Sequence, residues 1–301
     1  THLPSSMTEL HLAPLQGYTD AEYRRAFCEV YGAPDTMYTP FLRIEKGEAA
    51  PRTLRDICSP HNETAPAIPQ IIFRDADSFA ALTDTLKERG FRRIDLNLGC
   101  PFPPITGKGM GAGMLARPEV FEAVAKRMAD DGETRYSVKM RLGFDSTEQW
   151  RPIVGILNDI PLEHVTVHPR TARQQYRGEL HTDSFAALAS TLRHPLIFNG
   201  EIHTPADIDR IITAYHGLKG VMAGRGLLAR PSLFAEWRQG RMWSADERDR
   251  AVMRLFERYR ELITPRLCGA AQIAAKLKPF WDYPEAEIGR KAVKEILKSL
   301  R

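Results

Sequence analysis

Nowhere in the 301 residues do apolar side chains run uninterrupted for the 18 positions that a membrane span requires. The segment Thr1–Met7 lacks the basic start and apolar stretch of a secretory signal. A soluble cytoplasmic protein with no membrane partner is therefore expected. Cysteine is scarce. Cys28, Cys58, Cys100 and Cys268 lie far apart and form no Cys-x-x-Cys pair. That argues against a disulfide framework or a zinc knuckle, leaving free thiols and no expected metal site. Charge of one sign is scarce too, since 42 Lys and Arg against 38 Asp and Glu leave only +4. Such a balance does not by itself indicate nucleic acid. Its distribution is more telling, because residues 241–301 hold 14 basic against 9 acidic side chains and so carry the whole excess. With 43% hydrophobic and 27% charged residues, the chain can bury an ordinary globular core.

Up to about residue 230, short apolar runs rich in β-formers alternate with stretches compatible with helix. The runs are Leu12–Leu15, Met37–Phe41, Ile68–Phe73, Ile94–Leu98, Ser137–Leu142, Val165–His168, Leu196–Asn199 and Gly220–Ala223. Eight units at near-equal spacing predict an α/β fold, a closed (β/α)8 TIM barrel. An open dinucleotide-binding sheet is less consistent, because the first run is not followed by Gly-x-Gly-x-x-Gly. After Pro231 the period becomes helical: Val252, Leu255, Phe256, Tyr259 and Leu262, then Ile288, Ala292, Val293, Ile296 and Leu297. The expected organisation is a barrel over residues 1–235 and a small all-helical domain over 236–301. Lys291, Lys294, Lys298 and Arg301 line one face of the last helix, opposite its apolar stripe. That spacing fits an RNA-contacting stripe and a merely solvated face alike.

Barrels of this kind place their chemistry at the C-terminal ends of the strands, and those ends are unusually polar here. They carry Gln16-Gly17, Gln70, Asn97-Leu98-Gly99-Cys100-Pro101, Lys139 with Arg141, His168-Pro169-Arg170-Thr171, Asn199-Gly200-Glu201 and Gly224-Arg225-Gly226. Glycines at the seventh and eighth ends allow backbone N–H groups to approach a phosphate, with Arg225 as an added cation, although isolated glycines also simply make turns. Lys139 lies in a run otherwise suited to a buried strand. It is either half of a structural ion pair or a cation facing the electron-rich edge of a cofactor. Cys100 and His168 can be read as small or hydrogen-bonded core residues, or as groups held at the edge of a site.

In these residues the chain resembles the tRNA dihydrouridine synthases, flavin enzymes that reduce the C5–C6 double bond of uridines in tRNA. The matching pieces are Ala13-Pro14-Leu15-Gln16-Gly17-Tyr18-Thr19-Asp20, Gln70, Asn97-Leu98-Gly99-Cys100-Pro101, Lys139-Met140-Arg141-Leu142-Gly143, His168-Pro169-Arg170-Thr171, Asn199-Gly200-Glu201 and Gly224-Arg225-Gly226, in the family's order. The resemblance implies FMN held by Ala13, Pro14, Leu15, Gln70, Lys139, His168, Asn199, Gly200, Glu201, Gly224 and Arg225. It implies NADPH or NADH as reductant, hydride delivered to C6 of the uracil, and Cys100 as the acid that protonates C5. It also implies tRNA contacts at Asn97, Arg141 and Arg170, joined by Lys291, Lys294 and Lys298, in a monomeric enzyme. The chain departs from the family where Phe102-Pro103-Pro104 replaces the basic residue usual after the Cys-Pro pair, so that Lys108 is the nearest cation. The rival readings are a dihydroorotate dehydrogenase-like FMN barrel acting on a small molecule and a non-catalytic RNA-binding barrel.

Overall fold

The structure, a computed structural model, describes residues 8–300. Residues 1–7, on which the absence of a signal was read, and Arg301 of the basic stripe lie outside the described residues. Eight parallel strands are present: β1 (Glu9–Leu12), β2 (Thr36–Met37), β3 (Gln70–Ile71), β4 (Arg93–Leu98), β5 (Arg135–Gly143), β6 (Val165–Thr171), β7 (Leu196–Asn199) and β8 (Gly220–Ala223). They pair β2-β1-β8-β7-β6-β5-β4-β3. The last gap, between the second and third units, is bridged by Tyr38 with Ile68 and Leu42 with Ile71, so the sheet closes on itself. A helix follows each strand: α1 (Ala21–Tyr31), α2 (Pro51–Ile57), α3 (Ala76–Lys87), α4 (Pro118–Asp130), α5 (Trp150–Leu157), α6 (Thr182–Thr191), α7 (Pro205–Ala214) and α8 (Leu233–Gln239).

The first run is placed differently from its apolar letters. β1 begins at Glu9 and ends at Leu12, and Ala13-Pro14-Leu15 forms the loop beyond it. Pro14 has no N–H to offer a ladder, so pairing stops there, while Glu9 and His11 extend the strand backwards although they are polar. His11 is nevertheless fully buried, held by Tyr38 at 2.9 Å on one ring nitrogen and Glu9 at 2.9 Å on the other. The second and third strands are also shorter than their apolar runs, two residues each.

Strand periodicity decides where chemistry can go. On β4 the even residues Ile94, Leu96 and Leu98 join the core between sheet and helices, which leaves Asp95 and Asn97 pointing into the barrel. On β5 Val138, Met140 and Leu142 face the helices, and Ser137, Lys139 and Arg141 alternate with them; on β6 Val165 and Val167 leave Thr166 and His168 to the interior. A small apolar plug of Ala13, Tyr38, Ile68, Ile197 and Met222 fills the barrel's axis.

The C-terminal segment is helical: α9 (Ala245–Ile263), α10 (Gly269–Leu277) and α11 (Arg290–Ser299). α9 opens on a capping box in which the Ser244 and Glu247 side chains satisfy each other's backbone N–H groups. It packs on α1 through Tyr23, Tyr259, Phe256, Phe280 and Trp281, whose rings lie 4.9–6.2 Å apart in successive pairs. Asp20 ties the two parts together. It caps α1 by accepting from the Tyr23 N–H at 3.0 Å, accepts from the Tyr259 hydroxyl at 3.0 Å and pairs with Lys276 at 2.7 Å. α11 buries Val293 and half-buries Ile296 and Leu297, leaving Lys291, Lys294 and Lys298 exposed. No helix among the described residues is long and apolar enough to cross a membrane, and no cluster of His, Cys, Asp and Glu there is suited to a metal ion.

Candidate active site

At the C-terminal mouth of the barrel lies a cavity of about 930 Å³, part of it open to solvent. Its walls take in every strand end singled out in the sequence. Ala13, Pro14 and Leu15 come from β1's loop, Gln70 from β3, Asn97 and Cys100 from β4, and Lys139 and Arg141 from β5. His168 comes from β6, Asn199, Gly200 and Glu201 from β7, and Gly224 and Arg225 from β8. Arg170, Lys291, Lys294 and Lys298 are not among the lining residues. Tyr176, of the family-like segment Tyr176-Arg177-Gly178, lines the cavity as well, and so do Phe41 and His203, which belong to none of the motifs. Tyr176 had a usable signal, since Tyr176-Arg177-Gly178 follows the β6 motif closely. Phe41 closes the second apolar run and His203 lies two residues beyond the β7 motif, but neither residue type at that place distinguishes a cavity wall from an ordinary loop.

The floor is a chain of oriented amides. The Asp95 carboxylate, wholly buried, accepts from Gln70 Nε2 at 2.7 Å and from the Ser137 hydroxyl at 2.6 Å. Gln70 Oε1 then accepts from Asn97 Nδ2 at 2.9 Å, and Asn97 Oδ1 accepts the backbone N–H groups of Gly99 at 3.0 Å and Cys100 at 2.9 Å. Each amide is thereby fixed in one orientation. Burial pushes the Asp95 pKa up to about 6 against the pull of Gln70, Ser137 and Lys139. Lys139 takes part in no salt bridge among the described residues, so the structural ion-pair reading finds no partner. Burial, and then the neighbouring Arg141, lower its pKa to about 8. The Cys100 thiol is half-buried, and burial raises its pKa, outweighing the Phe102 N–H and the two cations that pull it down. At neutral pH the sulfur keeps its proton.

Across the cavity, burial and the surrounding guanidinium and ammonium groups hold His168 well below the ordinary histidine range, so it is neutral. Arg170 Nη1 lies 3.2 Å from His168 Nε2. A guanidinium only donates, so Nε2 accepts and the ring proton sits on Nδ1. Arg170 itself is buried and committed to the Gly178 carbonyl at 2.7 Å and to Glu201 at 2.7 Å. It braces the β6 and β7 loops rather than facing solvent. Arg141 is likewise buried and ties the β4 loop to the end of β6 and its loop through Gly99 O, Thr171 O and Gln175 O. Asn199 Nδ2 donates to the Met222 carbonyl at 2.8 Å, locking β7 to β8.

Two backbone features shape the phosphate-sized end. Glu201 holds a left-handed φ of 47° beside Gly200 at φ 140°, an arrangement that β7 alone would not adopt. A Cβ on Gly200 would come within 3.2 Å of the His168 ring and one on Gly224 within 3.3 Å of Ala13 Cβ, so a side chain at either position would crowd its neighbour. Arg225 reaches over this end with its guanidinium 3.9 Å from the centre of the Tyr176 ring, within 3.8 Å of the Glu201 carboxylate.

The "Dihydrouridine synthase (Dus)" family matches the chain over residues 11–295. A probable tRNA-dihydrouridine synthase of Staphylococcus epidermidis is 28% identical over 258 residues, covering 82% of this chain and 78% of that protein. The tRNA-dihydrouridine synthase B of Pasteurella multocida is 29% identical over 229 residues, covering 75% and 67%. Among solved structures, the old yellow enzyme of Trypanosoma cruzi superposes with a TM-score of 0.56 at 8% identity, over 78% of this chain and 89% of that one, a likeness of barrel fold.

Proposed function

The chain belongs to the dihydrouridine synthase family, and we propose that its cavity holds FMN and that Cys100 protonates the uracil of a tRNA uridine reduced there to dihydrouridine. The chain is an enzyme of tRNA uridine reduction. That membership decides against both the small-molecule FMN barrel and the non-catalytic RNA-binding barrel. The reading of the site rests on one observation above all: Cys100 and Lys139, a lysine in no salt bridge among the described residues, share the mouth of one barrel with a glycine-lined, arginine-covered end.

The donor set suits the cofactor. Gln70 and Lys139 are neighbours of the Asp95–Asn97 strand and would hold the polar edge of the flavin ring, while the Ala13-Pro14-Leu15 loop gives an apolar wall. Asn199, Gly200, Gly224 and Arg225, with neutral His168, would hold its ribityl phosphate. When bound, the flavin supplies the hydride for C6 of the uracil, having been reduced by NADPH or NADH. The rest falls to the protein. Cys100 Sγ–H gives its proton to C5, and burial that raises its pKa keeps that proton on sulfur until C5 takes it. Lys139, charged at neutral pH, sets positive potential beside the place where electrons accumulate. Asn97 holds the Cys100 backbone, and Arg141 fixes the loops on either side. Glu201 contacts Arg170, His203 and Arg225 together, which holds these side chains around the phosphate end.

The exposed Lys291, Lys294 and Lys298 stripe, in the helical part docked on α1, would take tRNA phosphates while the target base is drawn from its stack into the cavity. The test is to purify the protein, identify its flavin, reduce it with NADPH without oxygen, and add tRNA from a strain lacking the gene. Reoxidation of the flavin with matching dihydrouridine in the tRNA is expected. Colourless protein that does not take up FMN would overturn the cofactor assignment.

A further inference from the structure

Three large hydrophobic side chains stand exposed among the described residues: Phe102 at 59%, Tyr176 at 44% and Met242 at 58%. Tyr176 lines the active-site cavity, and Phe102 directly follows Pro101, which lines it too. Tyr176 is already stacked under Arg225. Phe102 has no aromatic or cationic partner among the described residues, and it lies two positions from Cys100, followed by the exposed Pro103 and Pro104.

This exposure does not come from a slack loop. The Phe102 carbonyl accepts from the N–H groups of Ile105 at 2.9 Å and Thr106 at 3.0 Å, and Ile105 is buried beneath. Gly111 packs so tightly on Cys100 that a Cβ there would lie 2.8 Å from the Cys100 carbonyl oxygen, and one on Gly113 would lie 2.6 Å from that of Thr106. Pro101, Pro103 and Pro104 stiffen the segment further. The fold therefore holds an apolar ring out in water at the edge of its catalytic mouth, at a cost of the hydrophobic stabilisation that burial would give.

We propose that Phe102 stacks on the tRNA nucleobase adjacent to the target uridine, filling the place the uridine leaves when it enters the cavity. This rests on the reading of tRNA as substrate. Consecutive Cα atoms are ~3.8 Å apart, so Phe102 lies within roughly two such steps of Cys100. A neighbour of the uracil whose C5 meets Cys100 is within its reach. Withdrawing a base from a stack bares the face of the next one, and an aromatic ring restores stacking for any base. Lys108, exposed and in no salt bridge among the described residues, follows on the same loop as a cation for the phosphate beside that base. One ring and two prolines are far too little surface for a protein partner, which needs ~800 Å² per side. The aromatic ring thus does by stacking what a basic residue in this loop would do by charge.

The test compares Phe102→Ala, Phe102→Leu and Phe102→Trp with the wild-type holoenzyme. The readouts are the equilibrium Kd for dihydrouridine-free tRNA with the flavin oxidised, and reoxidation of the reduced enzyme by that tRNA. Ala and Leu should each weaken binding about tenfold, the scale of one base–aromatic stack, while Trp stays within about twofold. Flavin content and reduction by NADPH should not change. A Leu variant that binds tRNA like the wild type would overturn the proposal, since Leu keeps apolar area and lacks a π-face. So would a wild-type dimer in sedimentation that Phe102→Ala dissociates while tRNA affinity is unchanged. Failure of the tRNA reading looks different: the wild type itself would neither bind nor be reoxidised by tRNA.

Discussion

Gln70 and Asp95 face each other across β3 and β4, and Gln70 Nε2 donates to the buried Asp95 carboxylate over 2.7 Å. Because an ionised carboxylate only accepts, this single contact sets the sense of the whole amide chain. It turns Gln70 Oε1 to Asn97, and Asn97 Oδ1 to the backbone of Gly99 and Cys100. The position of the thiol is thus fixed from the barrel's interior.

Asp95 also has a cost. Its folded-state pKa of about 6 lies above the ordinary value of 3.8, so the native state binds the proton more tightly than the unfolded chain. The stability this confers is present below about pH 4 and lost as pH rises through about 6, a change of about 3 kcal/mol. Asp95→Asn removes that dependence. In urea titrations at pH 4 and pH 7, the variant should gain on the wild type by that amount between the two conditions. A wild-type-minus-variant difference independent of pH would contradict the assignment.

Lys139 is charged below its lowered pKa of about 8 and neutral above it. Single-turnover reoxidation by tRNA should therefore decline as pH rises past about 8, and Lys139→Met should be slow at every pH with that limb absent. Stopped-flow absorbance of the flavin from pH 6.5 to 9.5 would show it. An unchanged limb in the variant would assign the titration to another group.

Cys100→Ala should keep its flavin and its reduction by NADPH while slowing tRNA reduction by about 10²-fold or more, the usual scale for loss of a general acid. Cys100→Ser, whose hydroxyl is a far weaker acid, should recover little. Wild-type turnover by the alanine variant would reduce Cys100 to a packing residue.

Neutralising Lys291, Lys294 and Lys298 together should weaken tRNA binding and flatten its log–log salt dependence by about 0.7–0.9 for each tRNA phosphate that no longer meets a lysine. The apolar face of α11 around Val293 is untouched, so thermal stability should hold. Arg258 and Lys276 offer no easy substitute, since Arg258 pairs with Glu29 and Glu261 and Lys276 with Asp20. A salt slope equal to the wild type's would leave the stripe a solvated surface.

What the sequence determined by itself was periodic or local. Alternation on Arg93–Leu98 and Ser137–Leu142 is visible in the letters, because a strand that buries one face against helices must send its other residues into the barrel. The resemblance carried by Asn97-Leu98-Gly99-Cys100-Pro101 and its companions was legible for the same reason: each motif is contiguous. The start of β1 was not, since Glu9 and His11 become strand residues only through Gly220 and Tyr38, which lie far away along the chain. Nor could the letters distinguish Arg170, buried under Glu201 and Gly178, from an arginine reaching for RNA, or show that Lys139 would lack an ion pair. Tertiary structure decided these points, because burial and the choice of hydrogen-bond partner depend on which distant strands become neighbours. Barrel closure alone sets that.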